Sequence, residues 1–191
     1  MVSTLLAFGA LFASALFFLM GSGVLSTQLS LRMTQEGFST LTIEITLACY
    51  FLGLMAGYFL CHRLIQRVGH IRSFAVFAAA TTIIIILHGL YISAIFWATL
   101  RFFNGMTIFG LFMVVESWLN ECSQSRIRGR VFSIYMTLAY LGIGIGQQLL
   151  NLGTESGQEL FWIAALLFSL SLIPVSTTQS VHPELPQRTR Y

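Results

Sequence analysis

Arg101, Asn104 and Glu116 interrupt an otherwise apolar run from Ile95 to Trp118. An arginine about eight residues inside a membrane-spanning helix lies roughly 12 Å deep, where it costs several kcal/mol unless it faces water or a partner. At about 100° per residue, Asn104 falls roughly 60° to one side of Arg101 and Glu116 roughly 60° to the other. The three would share one helix face, leaving Phe102, Phe103 and Phe109 for lipid or neighbouring helices. A polar stripe of this kind implies a hydrated cavity or a polar helix–helix interface. Arg101 is either a cavity-lining charge that binds an anionic group or changes partners as helices move, or a fixed arginine satisfied by backbone carbonyls or another helix. Arg101 and Glu116 are roughly 22 Å apart along the axis, so they do not pair with each other.

Other polar residues stand in apolar surroundings. Gln147 and Asn151 are one turn apart, with Gln148 alongside, and either line the same cavity or bond neighbouring helices. Glu116 lies within reach of Arg67, Arg72, Arg128 and Arg130, as a gate-like charge cluster or a static interfacial salt bridge. Glu44 is either a proton-coupling carboxylate or an exposed interfacial charge. Gln28 falls near the same membrane surface as Glu44, and His88 sits alone near a helix end. Cys49, Cys61 and Cys122 form no CxxC pair and have no His at metal-ligand spacing, so they read as buried small hydrophobes. HExxH, G-x-S-x-G and Walker-type loops are absent. Neither a membrane enzyme nor a metal or other cofactor is therefore expected.

The elements that position these residues follow from composition. Of 191 residues, 56% are hydrophobic and 9% charged, too few polar groups for the surface of a water-soluble domain. Lipid removes the need for a polar shell. The expected fold is all-α, a polytopic bundle of six transmembrane helices, because six stretches approach the roughly 20 apolar residues needed to span the hydrocarbon. They run over Leu5–Leu29, Leu41–Leu60, Phe74–Ile92, Ile95–Trp118, Val131–Leu150 and Leu160–Val175. The first lacks a basic flank and exceeds a usual signal-peptide core, so it reads as a first transmembrane helix. Residues 1–175 form the bundle. Residues 176–191 form a polar tail in which Pro183 and Pro186 discourage helix.

The basic residues are all arginine and the acidic ones all glutamate. Arg63, Arg67 and Arg72 occupy one link, Arg126, Arg128 and Arg130 another, and Arg188 and Arg190 the tail. The opposite links carry Arg32 with Glu36 and Glu44, a nearly uncharged turn at Ser93, and Glu155 with Glu159. This bias places both termini in the cytoplasm and suits membrane orientation, with no nucleic-acid partner. Gly53 with Gly57, and Gly142 with Gly146, make small-xxx-small pairs that let helix backbones approach closely.

The link from Arg63 to Arg72 reads Arg-Leu-Ile-Gln-Arg-Val-Gly-His-Ile-Arg. It resembles the loop motif of the major facilitator superfamily, an acidic residue followed by Arg, any residue, Gly and basic residues. Arg67 and Gly69 match, and Arg72 matches with a small shift. Gln66 stands where that family usually has Asp, so the Asp-centred interaction with the partner half is not carried over. Arg101, Asn104 and Gly105 resemble the second motif, Arg-x-x-polar-Gly. Glu36–Ser39, Tyr50–Leu54, Arg67–Arg72, the Glu-Ser-Trp-Leu-Asn-Glu run within Val115–Glu121, and Arg128–Val131 are similar to the bacterial YcaD-like branch. A Gly-x-Gly-x-Gly run in the fifth span lacks the Gly-Pro pair of the proton-antiporter motif.

The resemblance implies an N-terminal six-helix half made of two inverted three-helix repeats. It also implies transport of a small solute by alternating access, in the bacterial inner membrane, with the lipid bilayer and a second six-helix half as partners. That half would come from a homodimer, a separate chain, or the remainder of a truncated protein. Arg101, Asn104, Gln147 and Asn151 would line the substrate cavity. Arg67, Gly69, Arg72 and Glu116 would shape the cytoplasmic gate. The competing expectation is a non-transporting membrane protein, a degenerate half or accessory subunit, in which the stripe is a helix–helix contact.

Overall fold

The computed structural model describes residues 2–153 and 157–177, with side chains from residue 8 onward. Glu155 and the tail beyond Thr177, with Pro183, Pro186, Arg188 and Arg190, lie outside the described residues. Among those described, the regular structure is entirely helical: α1 (Val2–Gln35), α2 (Thr40–Val68), α3 (His70–Leu90), α4 (Ala94–Cys122), α5 (Arg128–Gln148), a 3-10 turn (Leu149–Leu152), α6 (Gln158–Leu170) and α7 (Leu172–Ser176). Six spans are long and apolar enough to cross a membrane, α6 and α7 together making the sixth. All six expected stretches are helical except for Tyr91 and Ile92, which follow the end of α3, and Ser171 in the sixth. Most extend further, because a helix continues beyond the hydrocarbon wherever its backbone bonds are satisfied.

The sixth span departs from a single rod. It breaks at Ser171, between α6 and α7. Pro174 has no N–H to give the carbonyl four residues back, and its ring crowds that carbonyl at Leu170, the last residue of α6. Ser171 Oγ donates to the Phe168 carbonyl at 2.6 Å beside the break.

Helix α1 packs on α5 and α6, α4 packs on α2 and α3, and α3 packs on α6. Exchanging the first three spans for the last three maps this set of pairings onto itself, as two three-helix repeats of opposite direction require. Phe18 gathers Phe74, Phe112 and Phe168 around it at 5.6–6.4 Å between ring centroids, where α1, α3, α4 and α6 meet. A second cluster lies away from the arginine-rich links, where the Trp97 ring sits 6.1–6.3 Å from Phe38, His88 and Phe161. His88 is therefore buried among aromatic rings, with Nδ1 2.8 Å from the Ile84 carbonyl. Its isolation in the sequence reflected distance along the chain, not in space. Gln28 is also interior and donates to the Gly157 carbonyl at 2.8 Å.

Glycines set the two closest crossings. A Cβ on Gly53 would strike the Phe102 carbonyl, and one on Gly105 would strike the Tyr50 carbonyl, so α2 and α4 meet backbone to backbone. Gly23 faces the Ile143 carbonyl and Gly146 the Met20 carbonyl in the same way between α1 and α5. The small-xxx-small pairs expected from sequence thus each lie in a crossing.

The most apolar windows of α2 and α5 are 17% and 28% buried, against 44–56% in the other four spans. Those two helices therefore leave a broad apolar face on one side, with Phe51, Met55, Tyr140 and Leu141 exposed.

Gly105→Ala should force α2 and α4 apart and destabilise the detergent-solubilised protein by about 1–3 kcal/mol, as overpacking does. Gly144→Ala, where a Cβ meets nothing within 4 Å, should leave the melting temperature unchanged or slightly raised. Thermal unfolding of both variants, followed by size-exclusion chromatography, checks the pair.

Candidate functional site

Between the two glycine crossings lies a half-open cavity of about 190 Å³. Its polar wall comes from α4, where Arg101 and Asn104 are one turn apart and 5% and 1% exposed. Arg101 Nη1 donates to Asn104 Oδ1 at 3.0 Å. Because Gly105 admits the α2 backbone, the Tyr50 ring lies against the guanidinium, 4.5 Å from Cζ to ring centroid. A cation over an aromatic face is attracted by the ring quadrupole.

The facing wall is α1, which contributes Leu19, Ser22, Gly23 and Ser26. Ile108 and Phe112 of α4 and Ile143 of α5 make the floor apolar. Three donors at this site have no protein partner among the described residues: Arg101 Nε, Asn104 Nδ2 and Ser22 Oγ. No carboxylate balances Arg101, since the ion pairs among the described residues are Arg32–Glu36 and His70–Glu121. Nor do three His, Cys, Asp or Glu side chains gather at one place among those residues.

Sequence reasoning found Arg101 and Asn104 but passed over Tyr50, Ser22 and Ser26. A signal was available. Leu19, Ser22, Gly23 and Ser26 on α1 repeat the spacing of Arg101, Asn104, Gly105 and Ile108 on α4. Each set pairs a small polar residue with the glycine of its helix crossing.

The other expected cavity residues are not brought to this pocket. Gln147 stands one turn beyond Ile143 on α5 and is exposed. Asn151 is exposed in the 3-10 turn, where its Nδ2 donates to Gln148 Oε1 at 3.3 Å.

At the arginine-rich end, Arg67, Arg72 and Glu116 are all exposed, and none enters an ion pair among the described residues. Asn104 and Glu116 lie on opposite sides of Arg101, so they are about 120° apart around α4. Asn104 turns into the pocket while Glu116 falls outside it. The neighbouring Ser117 turns toward α3 instead, its Oγ 2.9 Å from His70 Nε2, which also lies 3.7 Å from Glu121. Gly69 links α2 to α3 at φ +84°, a conformation disfavoured for side chains with a Cβ. Its N–H caps α2 on the Ile65 carbonyl at 2.9 Å, and its own carbonyl receives Ser73 N–H at 3.1 Å.

The sequence model of the Major Facilitator Superfamily matches residues 11–189. The Uncharacterized MFS-type transporter YcaD of Escherichia coli O17:K52:H18 (strain UMN026 / ExPEC) is 31% identical over 179 residues, covering 91% of this chain and 46% of that protein. The Uncharacterized MFS-type transporter YE1530 of Yersinia enterocolitica serotype O:8 is 31% identical over 169 residues, 85% of this chain and 43% of that protein. This chain thus spans about half the length of the curated relatives it matches. With six apolar spans arranged as two exchangeable three-helix units, and a family match over nearly its whole length, the chain belongs to the major facilitator superfamily as a multi-pass membrane protein similar to the YcaD-type transporters.

Proposed function

We propose that the chain forms one six-helix half of a small-solute transporter of the bacterial inner membrane, and that the Arg101–Asn104 cavity is half of its central site. The observation that carries this reading is a buried arginine, without a carboxylate partner among the described residues, lining a pocket between α1, α2, α4 and α5. A charge so placed is costly in a merely structural bundle, and intramembrane ionisable groups commonly mark solute pathways. The relatives' double length and the exposed α2 and α5 faces support a second six-helix half closing the site. That half would be a second copy, a separate chain, or a further part of the same protein. Rocking of the two halves would expose the site to each side in turn. Gln147 and Asn151, exposed on the α5 side, would line the wider part of the cavity. Arg67, Gly69, Arg72 and Glu116 would form the gate at the arginine-rich end, which faces the cytoplasm with both termini.

The first test is the mass of the purified chain in nanodiscs by native mass spectrometry. A dimer is expected if the chain supplies both halves, and a monomer directs the search to another chain or a longer protein. In the assembly so defined, reconstituted in proteoliposomes, Arg101→Ala should reduce uptake about tenfold or more, the loss of a charged hydrogen bond worth about 1.5–3 kcal/mol. Unchanged uptake by a folded variant would remove Arg101 from the solute path.

Two labelling experiments test placement. In a cysteine-free background, Ser125→Cys should react with an impermeant maleimide from the cytoplasmic side only, and Ser93→Cys from the opposite side only. Ser26→Cys, on the cavity wall, should react with a water-soluble thiol reagent in the complete assembly. Protection in every state would favour the accessory-subunit reading, with the stripe on α4 serving as a helix contact.

A further inference from the structure

We infer that the cavity selects a monocarboxylate with a compact apolar body, the carboxylate seated against Arg101; this rests on the transport reading above only in calling the ligand a transported solute. Asn104 occupies Nη1 of the guanidinium and Tyr50 covers one of its faces. The edge formed by Nε and Nη2 is left without a protein hydrogen bond among the described residues. That edge presents two parallel N–H donors, the geometry that matches both oxygens of a carboxylate. Asn104 Nδ2 and Ser22 Oγ add two more buried donors without partners at the same cavity.

Charge selects within the anions. The wall that this chain supplies carries one arginine and no acidic residue, so one negative charge neutralises this wall. Against this wall the second charge of a dianion would find no arginine, and a cation would meet repulsion. Shape selects further. Leu19, Ile108, Phe112 and Ile143 line the rest of the pocket, which favours an apolar body over a polyhydroxylated one. At about 190 Å³ the pocket is smaller than the roughly 300–1,000 Å³ of drug-sized sites. The repeat relationship explains the asymmetry: Ser22 of α1 occupies the place of Asn104, and Leu19 that of Arg101, so only the α4 wall is charged.

Benzoate, benzamide and benzamidine hold shape nearly constant while charge passes from negative through neutral to positive. Equilibrium binding of each in nanodiscs, to the assembly defined by native mass, should give saturable benzoate binding, at least about tenfold tighter than benzamide, and no benzamidine binding. Asn104→Asp places a carboxylate beside Arg101 and should abolish the benzoate preference while the melting temperature is retained. Arg101→Lys keeps the charge without the two-donor edge and should weaken benzoate about tenfold. Equal binding of benzoate and benzamide, absence of benzoate binding, or an unaffected Asn104→Asp variant would each overturn the inference. Charge-selective binding without uptake in proteoliposomes would uphold the inference and remove the transport reading. Uptake of a neutral or cationic solute with no benzoate binding would do the reverse.

Discussion

Lipid tails are as apolar as leucine side chains, so the helices of this bundle gain little by hiding apolar surface from their surroundings. Their association depends on how closely backbones approach. Here that closeness is concentrated at two crossings, Gly53 and Gly105 between α2 and α4, and Gly23 and Gly146 between α1 and α5. The crossings are related by the exchange of the two three-helix repeats. Pinning the helices at these points leaves between the pins the space that Arg101 lines. The cavity is thus a by-product of the packing that holds the bundle together. Tyr50 shows the coupling directly, since its carbonyl faces Gly105 while its ring covers Arg101.

A buried guanidinium needs compensation, and this one receives it piecemeal: a neutral amide oxygen at 3.0 Å and an aromatic face. Neither brings a full opposite charge. The arrangement orients the guanidinium without neutralising it. Leu19, the counterpart of Arg101 on α1, is apolar, and Ser22 stands in the place of Asn104. The duplicated frame is therefore symmetric in backbone and asymmetric in charge.

The six spans were legible because a run of about 20 apolar residues has few other uses. The glycine crossings were legible as spacings, although which helix each would meet was not. Arg101 and Asn104 stood out because burying them is expensive. Ser22 and Tyr50 did not, since a serine or tyrosine in an apolar helix is unremarkable until a partner is seen across from it. Glu116 was grouped with the stripe on α4 because each member was compared with Arg101 and not with Asn104. The 3-10 turn at Leu149–Leu152 removed Asn151 from the helical register that spacing assumed. The break at Ser171 was missed, since the sixth span was expected unbroken to Val175; Pro174 marks a lost hydrogen bond, and its effect falls one turn earlier in the chain, at the end of α6.

Helices α2 and α4 each contain 29 residues, about 43 Å against roughly 30 Å of hydrocarbon. Much of the surplus on α2 lies beyond Leu60, where His62, Arg63, Gln66 and Arg67 follow in unbroken helix. The loop at Gly69 is therefore mounted on a rigid stem, not draped on the membrane surface. Such a stem acts as a lever arm. A pivot of about 10° at the level of Tyr50 would carry Arg67, roughly 25 Å along the axis, through about 4 Å. A tilt that shifts Gly53 by less than about 1 Å would thus become, at the far end of the same helix, a displacement wide enough to make or break a charge contact.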